Sequence, residues 1–248
     1  MGSLSTSPVR SLATESFDSR PMEREELEFQ PAYRWRVSLF LSSVLPLWIK
    51  RAVDLAGALV GLLLLSPVML AIALLIRLES PGPVLFRQWR HGYRGKRFWV
   101  LKFRTMVVDA EERLVELERK NESAGGVLFK LRDDPRVTPL GRFLRRSSLD
   151  ELPQLINILR GEMSLVGPRP LQQRDSEKLR ELDPDAYFRR LQVMPGLTGP
   201  WQIGGRSEVD YSKMVDLDLD YVKNWSLARD IWIILQTFVV VLFGRGAY

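Results

Sequence analysis

The sequence has 248 residues, a formal net charge of +6, one histidine (His91) and no cysteine. The lack of cysteine excludes disulfides and thiolate metal sites, and a single histidine disfavours a zinc site or a histidine-based catalytic triad. Catalysis would therefore fall to Asp, Glu, Lys, Ser or Tyr side chains. The basic balance indicates a negatively charged partner, such as phosphate, an anionic membrane or nucleic acid.

The first 49 residues divide into two predicted segments. Residues 1–36 are predicted to form a disordered tail, because the first 30 are polar and mix serine, proline and both charges. Residues 37–49 are apolar, but the run is short and is broken by Pro46. We predict that this second segment lies at a membrane interface rather than spanning the bilayer.

A membrane helix is predicted over residues 50–77, because the run from Leu55 to Ile76 carries no charge. Such a run is about 33 Å long as a helix, which is enough to cross the hydrocarbon. Ser66-Pro67 lies at its middle, where the missing N–H of proline kinks a helix and the serine hydroxyl can bond back to it. Lysines and arginines on both flanks draw both ends to the cytoplasm. Both a re-entrant helix that turns back at Ser66-Pro67 and an ordinary kinked span fit these residues.

Residues 78–248 are predicted to form a small cytoplasmic, membrane-associated catalytic domain, which makes the fold class α+β. Short strands and turns are predicted over residues 77–108, followed by amphipathic helices. The apolar run Ile231–Phe243 is too short to span a bilayer and is predicted to be a core or interfacial helix.

Two adjacent acids, Asp150 and Glu151, come just before an amphipathic helical pattern. Acids at a helix start usually complement the helix dipole, and neighbouring helical positions do not face each other. Here, however, Arg145 and other arginines lie just upstream, and Arg169 lies between two prolines downstream. Arginines bind phosphate bidentately, and a carboxylate can hold Mg²⁺ or attack phosphorus. The pattern therefore suits a phosphate-rich substrate.

Two further stretches could contribute to such a site, although each is a weak signal alone. Lys102 and Arg104 lie on a predicted strand. The stretch "PGLTGPWQIGGR" offers backbone N–H groups in a flexible loop, together with Trp201, Gln202 and Arg206.

The motifs "RLESPGPVLFRQ", "KFRTM", "SLDELPQLINILRGEMSLVGPRP" and "PGLTGPWQIGGR" occur in this order. In this order they resemble the monotopic phosphoglycosyl transferases, the bacterial sugar transferase family, from about Lys50 to Tyr248. The resemblance implies transfer of a sugar-1-phosphate from a UDP-sugar to a membrane polyprenol phosphate, usually undecaprenyl phosphate, with release of UMP. Such a reaction starts the assembly of O-antigen, capsule or exopolysaccharide.

The resemblance also implies roles for individual residues. Asp150 would attack the sugar-bearing phosphorus to form a covalent intermediate, and Glu151 would help to bind metal or to deprotonate the lipid phosphate. Mg²⁺ would bridge both carboxylates and the diphosphate. The remaining assignments are phosphate binding (Arg145, Arg169, Lys102, Arg206), the nucleotide-sugar loop (Trp201, Gln202), the break of a re-entrant helix (Ser66, Pro67) and its anchor (Lys50, Arg51, Asp54).

The resemblance places the protein on the cytoplasmic face of the bacterial inner membrane, in contact with membrane lipids and without nucleic acid. The C-terminal region resembles the hexose-transferring branch, which favours UDP-galactose or UDP-glucose. Transfer of an N-acetylhexosamine-1-phosphate stays open as an alternative, and a homodimer is one of the assembly states left open. A membrane scaffold with a basic face is the non-enzymatic alternative, which would release no UMP.

Overall fold

The computed structural model describes residues 44–117, 131, 133–205 and 210–243. The predicted tail over residues 1–36 lies outside the described residues. In chain order, the described elements are α1 (Val44–Glu79), β1 (Leu85–His91), β2 (Arg97–Phe103), α2 (Ala110–Leu117), α3 (Pro139–Ser147), α4 (Gln154–Leu159), β3 (Ser164–Val166), α5 (Gln173–Leu182), α6 (Pro184–Arg190), β4 (Gly196–Thr198), α7 (Pro200–Ile203), α8 (Tyr211–Lys223) and α9 (Leu227–Phe243). This mixture of helices and short strands confirms the predicted combination of secondary structures.

Helix α1 begins earlier than the sequence suggested. Of the predicted interfacial segment 37–49, only residues 44–49 are described, and they form the first turns of α1 rather than a separate element. Pro46 lies in the first turn, where its missing N–H removes no helical bond. Within the described residues, α1 is the one helix that is long and apolar enough to cross a bilayer.

Helix α1 continues through Pro67, which has no N–H to offer to the preceding turn. The hydroxyl of Ser66 donates a hydrogen bond to the carbonyl oxygen of Leu63 over 2.9 Å. The predicted back-bond of Ser66 is therefore confirmed, and it supplies the Leu63 carbonyl with the donor that proline lacks.

The two halves of α1, before and after the proline, both pack against the rest of the described chain. Ala58 in the first half is buried in one apolar cluster with Ile158 of α4. Ile76 in the second half is buried in another cluster with Phe103 of β2 and Leu144 of α3. The outer side of α1 is exposed and apolar, so the helix has one face toward protein and one that no other described residue covers.

The four strands form two small sheets, and the second of them brings two loops side by side. Strands β1 and β2 form an antiparallel hairpin in which Trp89 pairs with Trp99 and their rings stack at 3.8 Å. Strands β3 and β4 are parallel, with Val166 opposite Thr198. Because the carboxyl ends of parallel strands meet at one edge, the loops that follow β3 and β4 leave the sheet side by side.

The C-terminal half is mainly helical, and α5 and α6 are separate helices although little chain lies between them. The chain breaks at Asp183-Pro184, where proline starts α6 and the Asp183 side chain accepts a hydrogen bond from the Ala186 N–H over 2.9 Å. Helix α9 buries Ile233 in the core. Its other side exposes apolar residues, namely Ile231, Trp232, Leu235, Phe238 and Val239.

Candidate active site

Helix α3 delivers the chain to the two acids, and its position is fixed at both ends. Its N-terminus is capped by Thr138, whose hydroxyl accepts a hydrogen bond from the Gly141 N–H over 2.9 Å. A Cβ atom at Gly141 would lie 2.0 Å from the Thr105 carbonyl oxygen, so only glycine allows α3 to lie against the end of β2. At its C-terminus, Ser148 adopts a left-handed conformation (φ 57°) that turns the chain into residues Leu149–Glu151.

The two acids lie just before the amphipathic helix, as the sequence indicates, but they form a structural element of their own. Asp150 and Glu151 lie in a separate 3₁₀ turn, and α4 begins at Gln154. The reason is Pro153, which has no N–H to bond the carbonyl of Leu149 and so prevents the α-helical pattern there. The Leu149 carbonyl instead accepts a hydrogen bond from the N–H of Leu152 over 3.3 Å.

The two carboxylates face different numbers of cations. The Lys102 Nζ atom lies 2.6 Å from Glu151 Oε1 and 3.7 Å from Asp150 Oδ2. Arg169 Nη2 lies 3.1 Å from the same Glu151 oxygen. Glu151 is thus held by two cations, whereas Asp150, which is also buried, has only the longer contact with Lys102 among the described ion pairs.

These contacts separate the acidities of the two carboxyl groups. Burial raises the pKa of Asp150, and the charge of Glu151 raises it further against the opposing effect of Lys102. Burial also acts to raise the pKa of Glu151, but Lys102 and Arg169 together outweigh it and lower that pKa to about 2. Glu151 is therefore the firmly ionised member of the pair, and Asp150 is the more basic one.

Arg145 is held beside the acids by a residue that sequence reasoning missed. Its Nε atom donates a hydrogen bond to the hydroxyl of Thr105 over 3.0 Å. Burial lowers the pKa of Arg145, and the charge of Asp150 is the largest influence that opposes this effect. Thr105 follows Lys102 and Arg104 in the KFRTM motif, which is the signal that could have identified it.

Arg169 and Trp201 meet where the loops after β3 and β4 run side by side. The guanidinium carbon of Arg169 lies 5.0 Å from the centre of the Trp201 ring, within cation–π range. The segments approach closely at glycines: a Cβ atom at Gly196, the first residue of β4, would lie 2.1 Å from the Gly167 nitrogen, and one at Gly199, just after β4, would lie 2.1 Å from the Gly167 carbonyl oxygen. The Gly196 N–H donates to the Pro168 carbonyl over 2.9 Å. The glycines thus hold two loops together, whereas the sequence predicted a flexible loop that offers N–H groups.

The other predicted site residues have different surroundings. Gln202 follows Trp201 on α7 and is buried. Arg104 points away from the acids and donates hydrogen bonds to the carbonyls of Ser80 (2.8 Å) and Pro81 (3.0 Å) at the C-terminal end of α1. Arg206 lies outside the described residues.

The three predicted anchor residues tie α1 to strands and helices far along the chain. Asp54 accepts hydrogen bonds from the Leu165 N–H (2.8 Å) and from a neighbouring serine hydroxyl on β3. The Arg51 Nη2 atom lies 3.4 Å from the Leu159 carbonyl oxygen at the end of α4. Lys50 forms a 2.6 Å ion pair with Asp230 on α9.

Asp230 is a second residue that sequence reasoning missed. It also accepts hydrogen bonds from the Tyr221 hydroxyl (2.7 Å) and the Trp225 indole N–H (3.1 Å). An acid followed by the apolar run IWIIL signals a buried charge that needs a partner, but no local pattern identifies Lys50 as that partner.

The two acids suit the magnesium ion that the resemblance implies. Within the described ranges, there is no group of three or more His, Asp or Glu side chains that could bind a metal. Mg²⁺ in phosphoryl-transfer sites is commonly bound by one or two carboxylates together with substrate phosphates. Asp150 and Glu151 offer two adjacent carboxylates of this kind, and both face the Lys102 ammonium.

The family description "Bacterial sugar transferase" matches residues 45–244 of this chain. The chain belongs to the bacterial sugar transferase family. The prediction from the ordered motifs is thereby confirmed, and with it the enzymatic class, a sugar-phosphate transferase. The alternative of a non-enzymatic scaffold is not supported.

Several curated proteins are similar to this sugar transferase. It is 46% identical to the exopolysaccharide production protein ExoY of Rhizobium meliloti over 80% of this chain and 88% of that one. It is 45% identical to the UDP-glucose:undecaprenyl-phosphate glucose-1-phosphate transferase of Escherichia coli, over 81% of this chain and 41% of that one. The undecaprenyl-phosphate galactose phosphotransferase of Salmonella typhimurium is 43% identical, over 81% and 42% respectively. The chain thus spans most of ExoY but less than half of the other two proteins.

Proposed function

We propose that this protein transfers a hexose-1-phosphate, from UDP-galactose or UDP-glucose, to undecaprenyl phosphate and releases UMP. The names of the similar proteins support this substrate class, and the match to the exopolysaccharide production protein ExoY supports a role in exopolysaccharide production, which we place at its start. The observation that carries the proposal is the pair of adjacent carboxylates, buried Asp150 and half-buried Glu151, of which only Glu151 is closely paired with cations and whose pKa values shift in opposite directions.

In the first step, a carboxylate oxygen of Asp150 attacks the phosphorus that bears the sugar. A bond forms between Asp150 and phosphorus, the bond from phosphorus to the bridging oxygen breaks, and UMP leaves with the electron pair. Burial has removed water from Asp150 and made it more basic, which favours nucleophilic attack. No histidine is needed as a base, because a carboxylate requires no proton removal once it is ionised.

The cations around the acids stabilise the charge that develops on the diphosphate. Arg145 and Arg169 can each present two donors to phosphate oxygens. Lys102 offsets part of the negative charge of Asp150 and Glu151, the acidic dyad. A Mg²⁺ ion held by Asp150 and Glu151 would supply further charge neutralisation on the diphosphate oxygens. The Trp201 ring lies within cation–π range of the Arg169 guanidinium and so favours this position of the cation.

In the second step, an oxygen of the lipid phosphate attacks the same phosphorus and the Asp150 carboxylate leaves. The product is a diphosphate-linked lipid sugar, and Asp150 returns to its starting state. Glu151 keeps Lys102 and Arg169 in place throughout, because its low pKa keeps it ionised. The reaction is therefore a double displacement with two half-reactions.

We also propose that α1 is re-entrant and that the protein lies on the cytoplasmic face of the inner membrane. Both halves of α1 pack against the same part of the chain, through Ala58 before Pro67 and Ile76 after it. A helix that crossed the bilayer would place one of these halves away from α3 and α4. The exposed apolar faces of α1 and α9 support contact with lipid.

The test is to mix the purified full chain with Mg²⁺ and a UDP-sugar, first without lipid. The two-step scheme predicts up to about one equivalent of UMP per enzyme and a hexose-phosphate adduct on the peptide that contains Asp150. Asp150→Asn should abolish both, while Asp216→Asn, an exposed acid on α8, should abolish neither. Comparing UDP-galactose, UDP-glucose and the two UDP-N-acetylhexosamines, with undecaprenyl phosphate added, identifies the sugar. UMP release that strictly requires lipid would refute the covalent step.

A further inference from the structure

Two flanking prolines and three hydrogen bonds restrain the backbone around Arg169. Pro168 and Pro170 fix their own φ angles. The carbonyl oxygens of residues 168, 169 and 170 each accept a hydrogen bond, from the Gly196 N–H (2.9 Å), Arg190 Nη2 (2.8 Å) and Arg90 Nη1 (3.1 Å) respectively. The Arg169 side chain thus extends from a backbone with little freedom to move.

Arg190 is itself fixed by a buried acid on another helix. Its Nε and Nη2 atoms donate to Oδ2 of Asp218 over 3.0 Å and 2.7 Å. Arg190 ends α6, Asp218 lies in the middle of α8, and both side chains are buried, with Asp218 completely so. The same guanidinium therefore joins α6, α8 and the Arg169 carbonyl.

The cost of burying these charges points to a role beyond stability. A buried ion pair often contributes no more to stability than apolar side chains of similar volume, because both charges must leave water. A pair that also bonds the backbone at an active-site arginine supplies geometry instead. Arginine suits this task because its planar fork serves a carboxylate and a carbonyl at once, which a single lysine nitrogen does less well.

We propose that Arg190, oriented by Asp218, is a positioning residue for phosphosugar transfer. By bonding the Arg169 carbonyl, it sets the point from which the Arg169 guanidinium reaches Glu151 and the substrate phosphates. Arg190 touches no reacting atom and acts only through Arg169. This inference rests on the proposed function, since it requires that Arg169 binds phosphate during transfer.

The test is a double-mutant cycle between Arg190→Lys and Arg169→Ala, read by UMP release with lipid acceptor. Arg190→Lys keeps the charge opposite Asp218 but weakens the bond to the Arg169 carbonyl. We expect it to lower kcat by about 10- to 100-fold, with a smaller change in KM, because a misplaced phosphate ligand mainly affects the transition state. In the Arg169→Ala background, the same change should produce almost no further loss.

Arg136→Lys is the matched control. Arg136 also forms a buried pair with an aspartate (Asp134, 2.7 Å) and also donates to a backbone carbonyl (Ala110, 3.1 Å), but not at Arg169. Any loss it causes should multiply with that of Arg169→Ala. Asp218→Asn provides a second test of Arg190. If Arg190→Lys unfolds near the assay temperature, Asp218→Asn replaces it in the double-mutant cycle with Arg169→Ala, and the same outcomes are expected.

The outcomes separate this inference from the proposed function. If the unaltered protein releases no UMP with any UDP-sugar, the proposed function fails. If it is active and Arg190→Lys matches it in kcat, the positioning role is overturned. It is equally overturned if the losses from Arg190→Lys and Arg169→Ala multiply as two independent effects, since Arg190 would then act on stability or on another part of the site.

Discussion

The Nζ atom of Lys102 lies 2.6 Å from the Oε1 atom of Glu151, close enough for a charge-assisted hydrogen bond. The same ammonium group is 3.7 Å from Asp150, so one positive charge lies near two adjacent carboxyl groups. Without it, both negative charges would face each other in a site that burial already makes unfavourable for charge.

Removing Lys102 should therefore shift the pH dependence of the reaction. Lys102 lowers the pKa of both carboxyl groups, so Lys102→Met should raise them. Because attack requires ionised Asp150, the acidic limb of kcat/KM should move to higher pH, and lost activity should partly return as the pH rises. Lys102→Arg, which keeps the charge, should leave the limb near its original position. A pH–rate profile of Lys102→Met with an unshifted acidic limb would contradict this account of the dyad.

Loss of either phosphate-binding arginine should be far more costly than loss of a surface arginine. We expect Arg145→Ala and Arg169→Ala each to lower kcat by about 10²- to 10³-fold, the range typical of a lost charge-stabilising donor. Arg113, which pairs with Asp109 on the surface, is the control, and Arg113→Ala should change kcat little. Comparable small effects for all three variants would show that Arg145 and Arg169 do not bind substrate phosphate.

The position of the acids shows how far the sequence predicts this site. The resemblance carried by the ordered motifs groups the acids, Lys102 and Arg169, and their contacts confirm that these side chains are neighbours. The 3₁₀ turn at the acids was not predicted, because it depends on the left-handed conformation of Ser148 together with Pro153. Apolar spacing, which was the basis for the predicted helix start, does not report such backbone detail.

Contacts between distant segments were the least predictable part. The glycines of PGLTGPWQIGGR are predicted to form a flexible loop, and their close approach to Gly167 is visible only in the folded chain. Asp218 and Arg190 each have an ordinary helical environment in the sequence, and nothing local indicates that they pair. Tertiary packing, rather than local propensity, decides these roles.

The close approach of Gly196, on β4, to the chain after β3 can be tested by measuring the stability of the fold. Gly196→Ala should destabilise the fold by about 1–3 kcal/mol, because its Cβ atom would meet backbone that cannot move aside. Gly61→Ala on α1 is the control, since its Cβ atom would meet only the Leu155 side chain at 3.2 Å. Thermal unfolding in detergent should show a lower midpoint for Gly196→Ala alone. Equal midpoints for the two variants would mean that the loops can separate without cost.

The proposed topology can be tested with this cysteine-free chain. Single cysteines at Trp48 and Pro83, exposed positions on either side of the apolar run, should both resist a membrane-impermeant maleimide in intact cells and react after lysis. Pro67→Ala restores the helical N–H and should expose position 48 to the outside in part of the molecules. Labelling of either cysteine from outside in the unaltered background would show that α1 spans the membrane.

The ion pair between Lys50 and Asp230 joins residues that are 180 positions apart in the chain. During synthesis, α1 leaves the ribosome long before β3, α8 and α9 exist to pack against it. In the proposed topology, α1 enters the lipid before its partner on α9 exists, and the contact of Lys50 with Asp230 forms only after residue 230 has been translated. A ribosome that stalls before Asp230 would leave a chain whose α1 lacks this partner, which makes α9 a checkpoint for the assembly of the described fold.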